Sequence, residues 1–261
     1  MISIELQNRK ALITGGDSGL GAATAKSLAQ AGADVAITYR HRSDAAEQVA
    51  ATARSFGVKA ITIQADISTQ ENVAALFQHV DQELGGLDIL VNNAGMDGPH
   101  AFCADSDPAA WQQVVELDLF GPYYCAREAV QRMRKQERGV IINTTSVHEF
   151  IPWAGYSAYT SAKAGLSMFS KTLAQEVAGT GIRVIVIAPG AIKTPINADV
   201  WQDPKGLADL ANKIPMGRIG EPDEIGHVIA FLCSDLASYM TGITVAVDGG
   251  MLLYPDFRHG G

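Results

Sequence analysis

With 261 residues, 47% of them apolar and 18% charged, the chain is long enough to bury a sizeable core and too apolar for extended disorder. A net charge of −8 disfavours a nucleic-acid-binding surface. We expect one large α/β domain spanning residues 1–261 rather than two small ones.

The N-terminal segment places Glu5 and Arg9 too early for a secretory signal, and no apolar run approaches the length of a membrane span. Cys103, Cys125 and Cys233 are widely spaced without a C-x-x-C pair, which is typical of reduced thiols. The six histidines show no metal-ligand spacing. We therefore expect a soluble cytoplasmic protein that has no metal and binds neither nucleic acid nor membrane.

Short β-branched runs alternate with helical patterns along the chain. The predicted strands are KALIT, VAIT, AITIQ, DILVN, GVIINTT, RVIVIA and TVAVDGG, and the predicted helices are Gly19–Gln30, Ser43–Phe56, Gln70–Leu84, Pro108–Gln136, Tyr156–Ala178 and Glu221–Leu232. This alternation predicts a single doubly wound Rossmann-type α/β domain, with a seven-stranded parallel sheet flanked by helices. Ligands bind beyond the carboxyl ends of such strands, so the loops there are the places to search for chemistry.

Two of those loops contain glycine. The first, TGGDSGLG, places Gly15, Gly19 and Gly21 between a strand and a helix, where backbone N–H groups bind a pyrophosphate. The second, NNAG, ends the fourth predicted strand. Close packing of a turn is the alternative for the glycines, and side-chain hydrogen bonds within a turn are the alternative for the asparagines.

The stretch YSAYTSAKAG contains two tyrosines and one lysine. Tyr159 and Lys163 are four residues apart and therefore share one face of the predicted helix. A phenol has a pKa of about 10, and a nearby ammonium lowers it towards the range of a general base. A packed ring beside a solvated amine is the alternative. Ser146 follows the fifth predicted strand, thirteen residues before Tyr159.

Taken together, TGGDSGLG, NNAG, Ser146 and the Tyr159/Lys163 pair resemble the short-chain dehydrogenase/reductase family over essentially the whole chain. The resemblance makes Tyr159 the catalytic acid/base, Lys163 its pKa-lowering partner and a ribose ligand, and Ser146 the group that orients the substrate oxygen. Tyr156 is assigned to packing or to the pocket wall. The dinucleotide site that the resemblance implies comprises Gly15, Asp17, Ser18, Gly19, Leu20, Gly21, Arg40, Asp66, Ile67, Asn93, Ala94, Gly95, Tyr159, Lys163, Pro189, Gly190, Ile192 and Thr194.

Four longer stretches, SVHEFIPW, PGAIKTPINAD, IPMGRIGEPDEI and TGITVAVDGGMLLYP, are similar to the glucose 1-dehydrogenase branch of that family. The implied activity is oxidation of the C1 hydroxyl of an aldose sugar to a lactone. The other substrates to weigh are 3-oxoacyl thioesters, steroids and polyols, and a catalytically silent dinucleotide-binding protein is the rival from another class. The intact Ser146, Tyr159 and Lys163 set argues against that rival. The resemblance also implies a homotetramer.

The loops after the strands carry further polar side chains suited to a sugar. The expected substrate contacts are Asp97, Ser146, His148, Tyr159 and Asn197, with Glu149 as a further candidate. Capping of a loop is the alternative for His148, and solvation is the alternative for Asp97 and Glu149. Residues 194–217, broken by three prolines, are expected to form a lid over the substrate.

The end of the second predicted strand bears on the choice of cofactor. A dinucleotide fold selective for NAD places an acid there, whereas arginine accommodates the 2′-phosphate of NADP. The segment ITYRHRS has no acid and places Arg40 and Arg42 nearby, although solvated arginines are the alternative and Asp17 opposes a second negative charge. We expect NADP, with NAD as a second cofactor.

Asp118, in VVELDLFGPYY, is a departure from the family pattern, which has a catalytic Asn at this position. In the family, that Asn holds a helix kink and links the Lys to solvent through a water. An aspartate keeps the acceptor oxygens but loses both amide donors. We expect Asp118 to stay in the proton relay and to shape the pH dependence, the alternative being that a water reorients and nothing changes. The net effect on Tyr159 remains open because two charge effects compete.

Overall fold

Seven short strands are formed by the β-branched runs, as predicted. In the computed structural model, which describes residues 3–253, they are β1 (Lys10–Ile13), β2 (Asp34–Tyr39), β3 (Ala60–Gln64), β4 (Ile89–Asn92), β5 (Gly139–Thr144), β6 (Ile182–Pro189) and β7 (Thr244–Val247). All neighbouring pairs are parallel, in the order β3-β2-β1-β4-β5-β6-β7. The last residues of the MLLYP stretch, Tyr254 and Pro255, lie outside the described range.

The helices follow the predicted bounds within a few residues. They are α1 (Gly19–Gln30), α2 (Ser43–Arg54), α3 (Gln70–Leu84), α4 (Pro108–Val115), α5 (Gly121–Met133), α6 (Ser157–Val177), α7 (Ala198–Trp201), α8 (Pro204–Ala211) and α9 (Pro222–Cys233). The helix predicted over Pro108–Gln136 is not uniform: a π-helical segment, Glu116–Phe120, separates α4 from α5. That segment contains Asp118. The predicted lid contains α7 and α8, which the sequence analysis did not assign.

The core lies on both faces of the sheet, as expected for parallel strands covered by helices. One layer includes Leu28 and Ile225 against Ile37, and the other includes Phe77 and Met133. Because the strands are buried on both faces, their sequences are nearly continuous apolar runs. Among the described residues, no helix combines the length and apolarity needed to span a membrane.

The strand order reverses between β1 and β4, because β2 lies on one side of β1 and β4 on the other. In an open parallel sheet, the loops diverge at such a point and leave a crevice beyond the carboxyl ends of the strands. The TGGDSGLG turn follows β1 and the NNAG turn follows β4. The fold therefore brings the two glycine-bearing loops together.

Candidate active site

A cavity of about 980 Å³ lies at the carboxyl ends of the strands and extends from the TGGDSGLG turn to α8. Every residue that the sequence analysis placed in the cofactor, catalytic or substrate sets lines it, except Gly21. The further substrate candidate Glu149 is also absent from its walls. The described residues contain no group of three or more His, Cys, Asp or Glu side chains that could hold a metal ion.

The TGGDSGLG turn is built from closely approaching backbone. Gly15 has φ = +62°, a conformation that favours glycine, and Asn93 Nδ2 donates to its carbonyl oxygen at 3.1 Å. A Cβ on Gly21 would lie 2.2 Å from that same oxygen. Gly21 therefore allows α1 to pack closely against the turn, and its place in the cofactor site stays a prediction. The exposed backbone of the turn and the start of α1 fit the phosphates of a dinucleotide.

Thr14, which the sequence analysis missed, joins the two loops. Its hydroxyl accepts hydrogen bonds from the backbone N–H groups of Asn93 at 3.0 Å and Ala94 at 3.1 Å. The sequence did contain a signal for this role, because Thr14 is a hydroxyl residue at the end of an otherwise apolar run. The NNAG turn is thus attached to the first strand rather than being free to move.

Ser146 and Tyr159 contact each other in the wall of the cavity. Ser146 ends the extended segment after β5, and its hydroxyl accepts the backbone N–H of His148 at 3.2 Å. Tyr159 lies in the first turn of α6, one turn before the buried Lys163. The Lys163 ammonium is 5.5 Å from the centre of the Tyr159 ring. The expected adjacency of the three side chains is present.

The pKa of Tyr159 is raised, opposite to the direction that we expected from Lys163 alone. Burial is the largest cause and disfavours the phenolate. Lys163 and a hydrogen bond from Ser146 act in the opposite direction, while Asp97 and Asp118 raise the pKa further. The expectation from Lys163 left out burial and Asp97, whereas the opposing effect of Asp118 on the phenolate was expected.

Asp118 is fully buried and paired with Lys163. Its Oδ2 atom lies 3.0 Å from Lys163 Nζ, and its Oδ1 atom accepts the backbone N–H of Met96 at 2.9 Å. Lys163 Nζ also donates to the carbonyl oxygen of Thr144 at 3.2 Å. The contact between the two side chains is direct.

The substrate end of the cavity contains a fixed aromatic group. His148 stacks on Trp153 with ring centres 4.5 Å apart, and Tyr156 packs on Trp153 at 4.0 Å. His148 Nδ1 lies 3.1 Å from the carbonyl oxygen of Ile151, which orients the ring. Burial lowers the pKa of His148 and favours the neutral imidazole. Tyr156 is a packing residue, one of the two roles predicted for it, and Trp153 is a cavity residue that we did not assign.

One of the expected substrate contacts, Asn197, has partners within the protein. The Asn197 side chain accepts from the backbone N–H and the hydroxyl of Thr194 and donates to the carbonyl oxygen of Ile192. It caps a short 3-10 turn while lining the cavity. Asp97 lines the cavity, and burial raises its pKa, with Asp118 acting in the same direction.

Glu149 is partly buried and does not line the cavity, so it is not simply solvated, and its contact with a substrate stays a prediction. Its carboxylate accepts hydrogen bonds from the hydroxyls of Thr145, Ser167 and Thr244. These groups belong to the loop after β5, to α6 and to β7. Glu149 therefore ties three elements together, a role that no local pattern reveals.

Arg40 and Arg42 line the cavity at the end of β2, as predicted. Arg40 lies 3.1 Å from Asp66 and Arg42 lies 2.7 Å from Asp17, so neither is simply solvated. Both arginines are half-exposed. A 2′-phosphate placed here would meet two guanidinium groups and two carboxylates.

Comparisons with known proteins agree with this geometry. The family model described as enoyl-(acyl carrier protein) reductase matches residues 15–252. The 3beta-hydroxysteroid dehydrogenase 1 of Eggerthella lenta is 42% identical over 260 residues, covering 98% of each chain. Glucose 1-dehydrogenase 2 of Bacillus subtilis is 35% identical over 253 residues, covering 97% of this chain and 98% of the relative.

A solved short-chain type dehydrogenase/reductase from Mycobacterium marinum superposes with a TM-score of 0.90 at 33% identity, covering 96% of this chain and 98% of that structure. Fold, site and relatives together define an oxidoreductase of the NAD(P)-binding class. The chain belongs to the short-chain dehydrogenase/reductase family.

Proposed function

We propose that the protein oxidises a secondary hydroxyl carried by a saturated ring and uses NADP as the hydride acceptor. The observation that carries this proposal is the position of Tyr159 beside Ser146 and the buried Lys163 in the wall of the cavity. A silent binding protein has no need for a phenol, a hydroxyl and an ammonium in this arrangement.

Each side chain has a distinct role in the proposal. Tyr159 removes the hydroxyl proton, Ser146 donates a hydrogen bond to the substrate oxygen, and Lys163 favours the phenolate and binds a ribose hydroxyl. The bound nicotinamide supplies the hydride acceptor. The carbon loses a hydride and the oxygen loses a proton, which yields a ketone, or a lactone from an aldose.

Two ring substrates are candidates. The C1 hydroxyl of an aldose is supported by the resemblance to glucose 1-dehydrogenases and by Asp97 and His148, two polar side chains in the cavity wall. A ring hydroxyl on an apolar skeleton, such as a hydroxysteroid, is supported by Trp153, Ile196 and Val200 in the same wall and by the Eggerthella lenta relative. The two candidates undergo the same reaction and differ in the part of the substrate that lies away from the hydroxyl.

The cofactor proposal rests on Arg40 and Arg42, because β2 ends without the acid that binds a ribose 2′-hydroxyl. Their ion pairs with Asp66 and Asp17 reduce the net positive charge there. NAD is therefore proposed as a second, weaker cofactor rather than as an excluded one.

The lid, the assembly and the location are part of the same proposal. Residues 194–217 cover the cavity through Ile196, Val200 and Leu210. A homotetramer is supported by exposed apolar side chains on α5 and α6, including Tyr123 and Met168. Free Cys103, Cys125 and Cys233 support a cytoplasmic location.

A spectrophotometric panel tests the proposal. Purified protein is assayed with glucose and other aldoses, with a 3β-hydroxysteroid and with a β-hydroxy thioester, each with NADP and with NAD. We expect turnover of at least one ring alcohol and a higher kcat/KM for NADP. Turnover of the thioester alone, or of nothing in the panel, would contradict the substrate proposal, and a strong preference for NAD would contradict the cofactor.

A further inference from the structure

The two oxygens of Asp118 face two different donors. Oδ1 accepts the Met96 N–H, and Oδ2 faces the Lys163 ammonium. A protonated carboxyl would turn an O–H towards one of them, so the site stabilises the carboxylate even though burial raises the pKa of Asp118. An asparagine would present its NH₂ group to one of these donors. This position is therefore matched to an acid rather than to the amide usual in the family.

The surroundings leave the pair little freedom. A Cβ on Gly95 would lie 2.8 Å from Asp118 Oδ2 and 3.2 Å from Lys163 Nζ, so the Gly95 backbone closes over the contact. Asp118 is 0% exposed and Lys163 is 5% exposed. The Thr144 carbonyl supplies a second fixed acceptor for the ammonium. The geometry thus fixes both the position of Lys163 and its partner.

We propose that Asp118 is a positioning residue that fixes the Lys163 ammonium and, by offsetting its charge, delays ionisation of Tyr159 to a higher pH than an asparagine would allow. The proposal rests on the proposed function, because it assigns a pH dependence to the same site. It also gives the sign that the sequence analysis left open: the carboxylate opposes the phenolate.

Within residues 3–253, few other charged or titratable groups face the pair and Tyr159. They are Asp97 from the loop after β4 and His148 from the loop after β5, besides Lys163 and Tyr159 of α6. Burial lowers the pKa of Lys163, but Asp118 and Tyr159 outweigh it and the net pKa is raised. When the Asp118 charge is removed, Tyr159, Asp97 and the Thr144 carbonyl still favour the protonated form of Lys163.

The test substitutes Asp118→Asn and follows the rise of kcat/KM with pH in the direction of alcohol oxidation. Because the phenolate is the base, a lower pKa of Tyr159 moves this rise to lower pH, and we expect a shift of roughly one pH unit. The titration of Tyr159 is also measured directly by ultraviolet difference absorbance of tyrosinate, with Tyr159→Phe subtracted in each background. This second readout requires no turnover, so it remains decisive if the substrate proposal fails.

Asp88→Asn is the matched control. Asp88 is likewise buried, accepts a backbone N–H at 2.9 Å from Lys10 and pairs with a cation, Arg138, but it precedes β4 at the opposite end of the sheet. We expect no shift of either titration in this variant. An unchanged titration of Tyr159 in Asp118→Asn, or a shift to higher pH, would overturn the proposal.

A double variant covers the case in which Asp118→Asn does not fold because it leaves a buried lysine without its counter-ion. The double variant, Asp118→Asn with Lys163→Met, replaces an ion pair of zero net charge by two uncharged side chains. If Asp118 offsets the lysine charge, Tyr159 in this variant should titrate close to its wild-type pH. A rise of a full unit or more would show that Lys163 acts unopposed and would reject the offset.

Discussion

Glu149→Ala tests whether this residue is structural, as its hydrogen bonds indicate, or a substrate contact, as the sequence suggested. The substitution leaves the hydroxyls of Thr145, Ser167 and Thr244 without their shared acceptor. A hydrogen bond to a charged group contributes about 1.5–3 kcal/mol. Glu149 is only partly buried and the hydroxyls have alternatives, since Thr145 also donates to the Ile187 carbonyl at 3.2 Å. We therefore expect the free energy of unfolding to fall by about 4 kcal/mol, near the low end of the sum over the three hydrogen bonds.

For a chain of this size, 1 kcal/mol shifts the melting temperature by about 2–4 °C, so Tm should fall by roughly 8–16 °C. Differential scanning calorimetry measures it, with Glu176→Ala on the exposed face of α6 as the control that should leave Tm within about 2 °C. Glu149→Gln retains an acceptor and should recover most of the stability without changing KM. A stable Glu149→Ala protein with a raised KM for the substrate would refute the structural role.

Tyr159→Phe should lower kcat by about 10²–10⁴-fold, the usual contribution of a general base. A fluorescence titration should still show dinucleotide binding. Near-wild-type turnover would reject the mechanism. Light scattering at micromolar concentration should give the mass of four chains, because exposed Tyr123 and Met168 mark an apolar surface on α5 and α6. A monomeric mass would contradict that assembly.

Local pattern was enough to predict the fold. Runs such as 11–13 in β1 are apolar throughout because they are buried on both faces, and the helices between the strands keep one apolar stripe. The Tyr159 and Lys163 pair was equally accessible, since four residues always return to the same face of a helix. These predictions depend only on neighbours in sequence.

The missed features depend on groups that are distant in sequence. The π-helical segment at Asp118 packs against the loop after β4, where the Met96 N–H binds the carboxylate across 22 residues of chain. The contact of Glu149 with Thr244 spans 95 residues. The substrate is harder still to predict, because the cavity wall contains both Asp97 and Trp153. The composition of the wall does not show whether the carboxylate or the indole decides which substrate binds.

The strand order also has a consequence for synthesis on the ribosome. The first three strands can pair as soon as Gln64 has emerged. However, β1 is an interior strand of the sheet, and its second edge is covered only when β4, at Ile89–Asn92, pairs with it. Until then a strand of sequence KALI presents an unpaired backbone edge to other chains. Nascent chains that stall before residue 89 should therefore be prone to aggregate and in need of a chaperone.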